Sequence, residues 1–309
     1  MSWKGGLRIA LIAGGTSSER EVSLKGAKAV EKALLELGHK VEFFDPAKDL
    51  LKLASKAKEL DLAFLVIHGP GGEDGTLQGF LDMLGIPYQG AGVLGSALAM
   101  HKGLSKLLYQ QAGLPTPQGK IFKKGTSLNE LRSYAKDLGY PLIVKPARQG
   151  SSIGLSLVRE ERALEGAIER AFSQDEEVLL EEYIKGRELT AGILGDEPLP
   201  IVEIRTDAEF FDYETKYTPG KAQEICPAEI SPELTRKAQS YALIAHKCLY
   251  LRHYSRTDMI LQGEKLYVLE TNTIPGMTET SLLPLAAKVA GYTFNTLIDK
   301  LIRLALEKS

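Results

Sequence analysis

The sequence predicts a mixed α/β protein that opens with a parallel sheet and closes with an antiparallel hairpin rich in oxygen groups. Three observations lead there. Short apolar runs alternate with stretches of helical spacing through residue 92, the pattern of strands crossed over by helices. Glycine-dense segments follow two of those runs, Gly14-Gly15-Thr16-Ser17-Ser18 and Gly69-Pro70-Gly71-Gly72. Near the C-terminus, two alternating runs flank Gln262-Gly263-Glu264, which reads as a hairpin.

Length and composition set the frame. A chain of 309 residues has room for two or three domains with sizeable cores. Hydrophobic content of 44% with 25% charged residues is that of an ordinary soluble protein. A net charge of −2 gives no support for bulk nucleic-acid or anionic-membrane binding. No apolar run is long enough to span a bilayer. The start, Met1-Ser2-Trp3-Lys4-Gly5-Gly6, lacks the apolar core of a signal peptide, so a cytoplasmic protein is expected. Cys226 and Cys248 make neither a disulfide framework nor a metal knuckle.

In chain order, Leu7 to Ala13 is an apolar strand, Glu19 to Leu37 has helical spacing, and Gly38 is placed to end that helix. Val41 to Phe44 and Asp61 to Ile67 are the next strands. Loops at the carboxyl ends of parallel strands are where ligands bind, which puts Ser18, Glu21, His68, Gly72 and Glu73 on one rim. His68 either contacts a substrate or caps the turn. The G-x-G-x-x-G spacing of a dinucleotide site is absent, and Asp45 alone is a weak acidic match.

A helix is predicted from Val93 to Ala112, carrying His101, Lys102 and Lys106. Pro141 to Pro146 is a strand with Lys145 near its end. The Gly150-Ser151-Ser152-Ile153-Gly154 loop that follows is not a Walker A motif, since it lacks G-x-x-x-x-G-K-[ST]. It reads as a loop between antiparallel strands that can cover phosphates with N–H and hydroxyl donors. Val178 to Ile184 runs from strand into linker, where Glu188 is placed to hold a ribose. Phe210 to Pro227 has no clear period and reads as a functional lid or a disordered stretch, with Lys216 and Tyr217 offering a cation and a phenol. Ser231 to Leu249, Thr280 to Ala290 and Phe294 to Glu307 are helices, the first with Ser231 as N-cap and Pro232 at N1.

The hairpin carries the sharpest chemical signal. Arg256 and Asp258 stand at i and i+2 on one strand, and Glu270 and Asn272 do so on the other. Side chains alternate along a strand, so all four can share one face. Asp, Glu and Asn oxygens suit Mg²⁺, held by few carboxylates together with substrate phosphates. Ile274-Pro275-Gly276 and a hydroxyl-rich stretch come directly after.

Taken together, these motifs resemble the D-alanine–D-alanine ligases of the ATP-grasp superfamily over nearly the whole chain. The carrying segments are Gly14 to Ser23, His68 to Gly75, Val144-Lys145-Pro146 with Gly150 to Gly154, Tyr213 to Tyr217, Cys226-Pro227-Ala228, and Glu270 to Thr278. The resemblance implies a three-domain α/β and α+β ATP-grasp fold. An N-terminal parallel-sheet domain spans 1–92, a central domain 93–182, and a C-terminal domain with lid and metal site 183–309. It implies ATP-dependent joining of two D-alanines through an acyl phosphate, for peptidoglycan synthesis, in a family that is commonly dimeric. Two Mg²⁺ ions, or Mn²⁺, would be held by Asp258, Glu270 and Asn272.

By the same resemblance, ATP would meet Lys102, Lys145, Ser152, Glu181, Tyr183, Ile184, Glu188 and Lys216. Glu21 would hold the first ammonium, with Ser151 and Tyr217 as its hydrogen-bonded partners and His68 nearby. Arg256 and Gly276 would face the oxyanion, and Ser281 and Leu282 the second carboxylate. Departures from the family pattern fall at His101, where Asp is common, at Glu224, at His253, where Gly is usual, and at Ser255 and Met259. Rival readings are a D-alanine–D-lactate or D-serine ligase, an ATP-grasp ligase for other substrates, and a catalytically silent nucleotide-binding module.

Overall fold

The computed structural model describes residues 5–206 and 222–307. Three sheets order the described chain. The first is parallel, β2-β1-β3, from β1 (Arg8–Ala13), β2 (Lys40–Phe44) and β3 (Leu62–Val66). Helices α1 (Arg20–Glu36), α2 (Leu50–Lys56) and α3 (Thr76–Leu84) connect and cover it. Gly38, at φ 86°, turns the chain out of α1 into β2 in the left-handed region that glycine enters without cost. β1 and β3 are buried along almost their whole length, as expected of parallel strands covered on both faces.

The predicted helix from Val93 to Ala112 is two helices, α4 (Val93–Met100) and α5 (Lys102–Gln111). His101 breaks it with extended backbone, φ −93° and ψ 95°. Its Nδ1 accepts from the Leu104 N–H, and its Nε2 lies 2.8 Å from a Glu177 oxygen. With Nδ1 accepting, Nε2 carries the proton and donates. His101 thus does the N-capping that an Asp would do at this position.

The second sheet is antiparallel, β4-β7-β5-β6, from β4 (Gly119–Lys123), β5 (Leu142–Pro146), β6 (Ser156–Val158) and β7 (Glu177–Glu182). It is backed by α6 (Leu128–Leu138) and α7 (Leu164–Phe172) over its own core, which includes Phe122, Leu142, Val144 and Leu180. The Gly150–Gly154 loop joins antiparallel β5 and β6, as expected from sequence.

The third sheet is antiparallel in the order β11-β10-β8-β12-β13, with β9 paired to β8. Its strands are β8 (Arg187–Leu194), β9 (Glu197–Pro198), β10 (Val202–Thr206), β11 (Ala222–Ile225), β12 (Tyr254–Gln262) and β13 (Lys265–Asn272). Helices α8 (Pro232–Cys248), α9 (Leu282–Val289) and α10 (Phe294–Leu306) complete the chain. The Ser231 hydroxyl accepts from the Leu234 N–H at 3.2 Å, with Pro232 following at N1, so the predicted cap is in place.

Two of the cores are shared between stretches distant in sequence. Tyr109, Ala99 and Leu114, from the stretch assigned to the central domain, are buried with residues of the third sheet and α8. α9 and α10 contribute to a core shared with β1, β3 and α1. Both cysteines are free and half-buried, with burial pushing each thiol up to about 11.

Candidate active site

The second and third sheets, with segments that follow strands of the first, border one cleft of about 410 Å³. The β12–β13 hairpin forms one wall and β5 with its glycine loop the other. The linker after β7 crosses one end, and the loops after β1 and β3 close the other.

Register in the hairpin brings the polar groups together. Asp258 pairs with Glu270, and Arg256 with Asn272. Arg256 clamps Asp258 bidentately, at 3.0 and 2.9 Å. Thr190 donates to the same carboxylate at 2.6 Å, and the Asn272 amide donates at 3.1 Å. With its NH₂ turned to Asp258 and to the Arg256 carbonyl, Asn272 has its amide oxygen free to face a cation. Asp258, Glu270 and Asn272 therefore form an all-oxygen donor set suited to a hard divalent ion. No group of three or more His, Cys, Asp or Glu with metal-binding spacing occurs among the described residues, because the third donor here is an amide.

A register shift between Asp258 and Met259 breaks strict alternation. Such a bulge re-aims side chains next to sites. Here it lets consecutive residues Leu269 and Glu270 both line the cleft.

Buried cations face the hairpin. The Lys102 ammonium lies 3.5 Å from Glu270 and donates to the Gln149 carbonyl at the base of the glycine loop. Lys145, on β5, is paired with Glu181. Lys106 reaches the other oxygen of Glu181 at 2.6 Å. Burial alone would raise the Glu181 carboxyl, but the ammoniums of Lys145 and Lys106 outweigh it and hold it at about 2. Tyr183, Ile184 and Glu188 line the linker end of the cleft, and Ser151 and Ser152 the loop side.

At the amino-acid end, the structure places Glu19 at the cleft, not the expected Glu21. Glu21 is exposed in the first turn of α1 and does not line the cleft. Glu19, at the N-cap position, is 7% exposed and lines it. The Ser151 hydroxyl donates to Glu19 Oε1, the contact expected of Glu21. Glu19 precedes α1, which begins at Arg20, and meets the glycine loop through Ser151, while Glu21 is exposed on the first turn of the helix. Gly150 packs so close that a Cβ there would sit 2.8 Å from a Glu19 oxygen. Ser151 and Ser152 adopt φ of 48° and 58°, a left-handed pair that wraps the loop over the cleft.

His68 is buried at the cleft edge, its pKa lowered to about 4 by burial and then by the charge of Arg256. Glu73 lies 4.0 Å away and is pushed up to about 8 by burial and then by Glu19. Its oxygens accept from the Gly69 and Ile274 N–H groups at 2.9 and 3.2 Å, tying the glycine loop after β3 to the Pro275-Gly276 loop. Gly276, Ser281 and Leu282 line the same end. Ser281 occupies the N-cap position of α9 and its hydroxyl accepts from the Thr278 N–H at 3.1 Å.

The structure thus gathers Ser151, Arg256, Gly276, Ser281, Leu282, His68, Lys102, Lys145, Ser152, Glu181, Tyr183, Ile184, Glu188, Asp258, Glu270 and Asn272 around one cleft. It leaves Glu21 out. Lys216 and Tyr217 lie outside the described residues. Glu73, placed on the rim from sequence, lines the cleft, whereas Glu19 and the apolar walls Ile143, Met259 and Leu269 were not assigned from sequence. Asp45, the weak dinucleotide match, is bound by Arg20 at 2.6 Å and by the Gly15 N–H at 2.9 Å, a structural role.

Comparisons with known proteins agree with this geometry. The family model for the D-ala D-ala ligase N-terminus matches residues 44–91, and that for the C-terminus matches residues 108–303. A D-alanine–D-alanine ligase of Syntrophobacter fumaroxidans is 51% identical, over 97% of this chain and 98% of that protein. One from Desulfotalea psychrophila is 52% identical, over 98% and 96%. Among solved structures, the D-alanine–D-alanine ligase of Bacillus anthracis complexed with ATP superposes with a TM-score of 0.86 at 36% identity, covering 97% of this chain and 98% of that one. VanG D-Ala:D-Ser ligase of Enterococcus faecalis gives 0.85 at 32%, covering 97% and 100%. The two scores are nearly equal, so the fold does not choose between second substrates, whereas identity to the curated relatives is higher. Sequence similarity along nearly the full length, the fold and the assembled cleft all converge: the chain belongs to the D-alanine–D-alanine ligase family.

Proposed function

We propose that this chain joins two D-alanines with consumption of ATP, giving D-alanyl-D-alanine, ADP and phosphate. The observation that carries the proposal is the hairpin register, with Asp258 opposite Glu270 and Arg256 opposite Asn272, facing Lys102 and Lys145 across one cleft.

A carboxylate is a poor acyl donor because oxide would have to leave. Phosphorylation supplies the leaving group: the first D-alanine's carboxylate oxygen attacks the γ-phosphorus, the bridging P–O bond breaks, and ADP departs. Asp258, Glu270 and Asn272 would hold a divalent ion, Mg²⁺ or Mn²⁺ and two ions in all, which neutralises phosphate charge and acts as a Lewis acid. Lys102 and Lys145 add fixed positive charge beside the phosphates. Tyr183, Ile184 and Glu188 would receive adenine and ribose, Ser152 the phosphates, and Lys216 a phosphate from the lid.

Glu19 would hold the first ammonium, with Ser151 and Tyr217 tethering the loop and lid to it and His68 beside it. The second amine then attacks the acyl carbon, the C–O bond to phosphate breaks, and the nitrogen loses its proton. Arg256 and the Gly276 N–H would stabilise the oxyanion; removing such a donor typically costs about 10²–10³ in rate. The α9 N-terminus at Ser281 and Leu282 offers N–H groups to the second carboxylate.

Coupled ADP release over a panel of D-amino and D-hydroxy acids tests the reading. D-alanine-dependent ADP release with D-alanyl-D-alanine as product is expected. No D-alanine-dependent release, or depsipeptide as the main product from mixed D-alanine and D-lactate, would overturn it. The family resemblance also supports a homodimer and a cytoplasmic step toward peptidoglycan. No helix among the described residues is long and apolar enough to cross a membrane.

A further inference from the structure

Lys106 is an unusual lysine. It is 4% exposed and does not line the cleft, while its partner Glu181 and the next lysine, Lys145, both do. Glu181 is itself buried, and its two oxygens are divided between the two ammoniums. A buried carboxylate is costly unless paired, and one lysine would neutralise it. Here two are present, so the group of three carries one net positive charge. The break at His101 sets this up. By starting α5 at Lys102, it places Lys102 and Lys106 at i and i+4 on one helix face, Lys102 reaching Glu270 and Lys106 reaching Glu181.

We propose that Lys106 is a positioning residue for the nucleotide. By matching the charge of Glu181 from behind the cleft wall, it leaves the Lys145 ammonium uncompensated and available to the phosphates. Lys106 touches no substrate and works only through Glu181 and Lys145. In a site of low polarity an uncompensated ammonium attracts phosphate strongly, whereas a neutral Lys145–Glu181 pair would not.

The inference rests on the ligase reading, and calorimetric titration with ADP and Mg²⁺ separates the two. Wild-type protein that fails to bind ADP would remove both. With wild-type binding intact, Lys106→Met is expected to weaken ADP binding by about tenfold or more. Steady-state assay should show the ATP KM rising while the D-alanine KM stays within about twofold. Lys106→Arg should restore binding. The sharpest contrast is adenosine, which carries no phosphate: its affinity should stay within about twofold of wild type in Lys106→Met while that of ADP falls. Unchanged ADP binding in Lys106→Met, or an equal loss for adenosine, overturns the proposal. Should Lys106→Met not fold, Lys106→Gln is titrated with the same two ligands and judged by the same outcomes.

Discussion

Glu19 and Glu21 stand two residues apart and end in different environments. Glu19 is buried beneath Gly150 and accepts from Ser151, while Glu21 faces solvent on α1. Hydrogen bonds to charged groups are worth about 1.5–3 kcal/mol. Glu19→Gln should therefore raise the D-alanine KM or lower kcat by about ten- to a hundredfold. Glu21→Gln should leave both within about twofold, since surface substitutions away from special features have small effects. A steady-state D-alanine titration of the two variants checks this, and equal losses would return the role to Glu21. The rim was legible in sequence because glycine-dense loops follow apolar runs. Which carboxylate turns inward was not, because Glu19 is marked by its contact with Ser151, a residue far away in sequence. Ser151→Ala and Tyr217→Phe should likewise be non-additive in rate if both act through one lid contact; fully additive losses would separate them. His253 shows a departure that the backbone explains. It sits at φ 65°, where glycine is at ease, and its Nδ1 accepts from the Gly90 N–H at 3.1 Å.

At the scale of elements, α5 braces the metal hairpin as well as the lysines. Seven residues along from Lys102, Tyr109 is wholly buried and donates to Thr271 Oγ1 at 2.8 Å. Thr271 in turn lies 3.1 Å from the Thr257 hydroxyl. These threonines stand between Glu270 and Asn272 and between Arg256 and Asp258 in sequence, on the opposite face of the hairpin. The hydroxyl chain therefore anchors the back of the strands whose fronts carry the site. Tyr109→Phe removes a buried donor and should lower stability by about 1–2 kcal/mol in a denaturant titration. A midpoint unchanged from wild type would mean that packing alone holds the strands. The hairpin and its inward face were readable from alternation at Arg256, Asp258, Glu270 and Asn272. The bulge that adds Leu269 was not, since no turn residue or proline marks it. The break in α4–α5 was hidden for a related reason: His101 is a polar residue within a helical period, and its capping role becomes visible only with Glu177 beside it.

For the whole molecule, the first and third sheets are joined by buried polar contacts as well as shared apolar cores. Gln89 bonds both backbone groups of Leu65 at 2.8 and 2.7 Å and reaches the Tyr254 hydroxyl at 3.3 Å. Arg252 donates to the Gly90 carbonyl at 3.1 Å beside His253. This long-range packing is why the shared cores were not legible in sequence: covalent order says nothing of which sheet α4, α5, α9 and α10 will cover. The same packing implies a pH response. Burial, the leading cause in each case, lowers His68, His246 and His253 to about 4, whereas an unfolded histidine titrates near 6.5. Between those values the unfolded chain binds more protons, so these groups favour folding above pH 6.5 and that contribution is lost as pH falls toward 4. Glu73 works against them. Raised to about 8, it binds a proton when folded and contributes most below its unfolded value, losing that contribution as pH rises. His39 is lowered and Glu224 raised as well, each by burial first, so four histidines against two carboxyls leave a net loss of stability on acidification from about pH 6.5 to 4.5. Asp45, Glu181 and Glu203, held at about 2, add their own losses only below the ordinary carboxylate range. His253→Gly, which suits the backbone at that position, should make the dependence shallower by up to about 1.4 kcal/mol per pH unit, the slope of one proton. Urea midpoints across this window, measured for wild type and variant, decide it: parallel curves would show that His253 takes up its proton equally in the folded and unfolded chains.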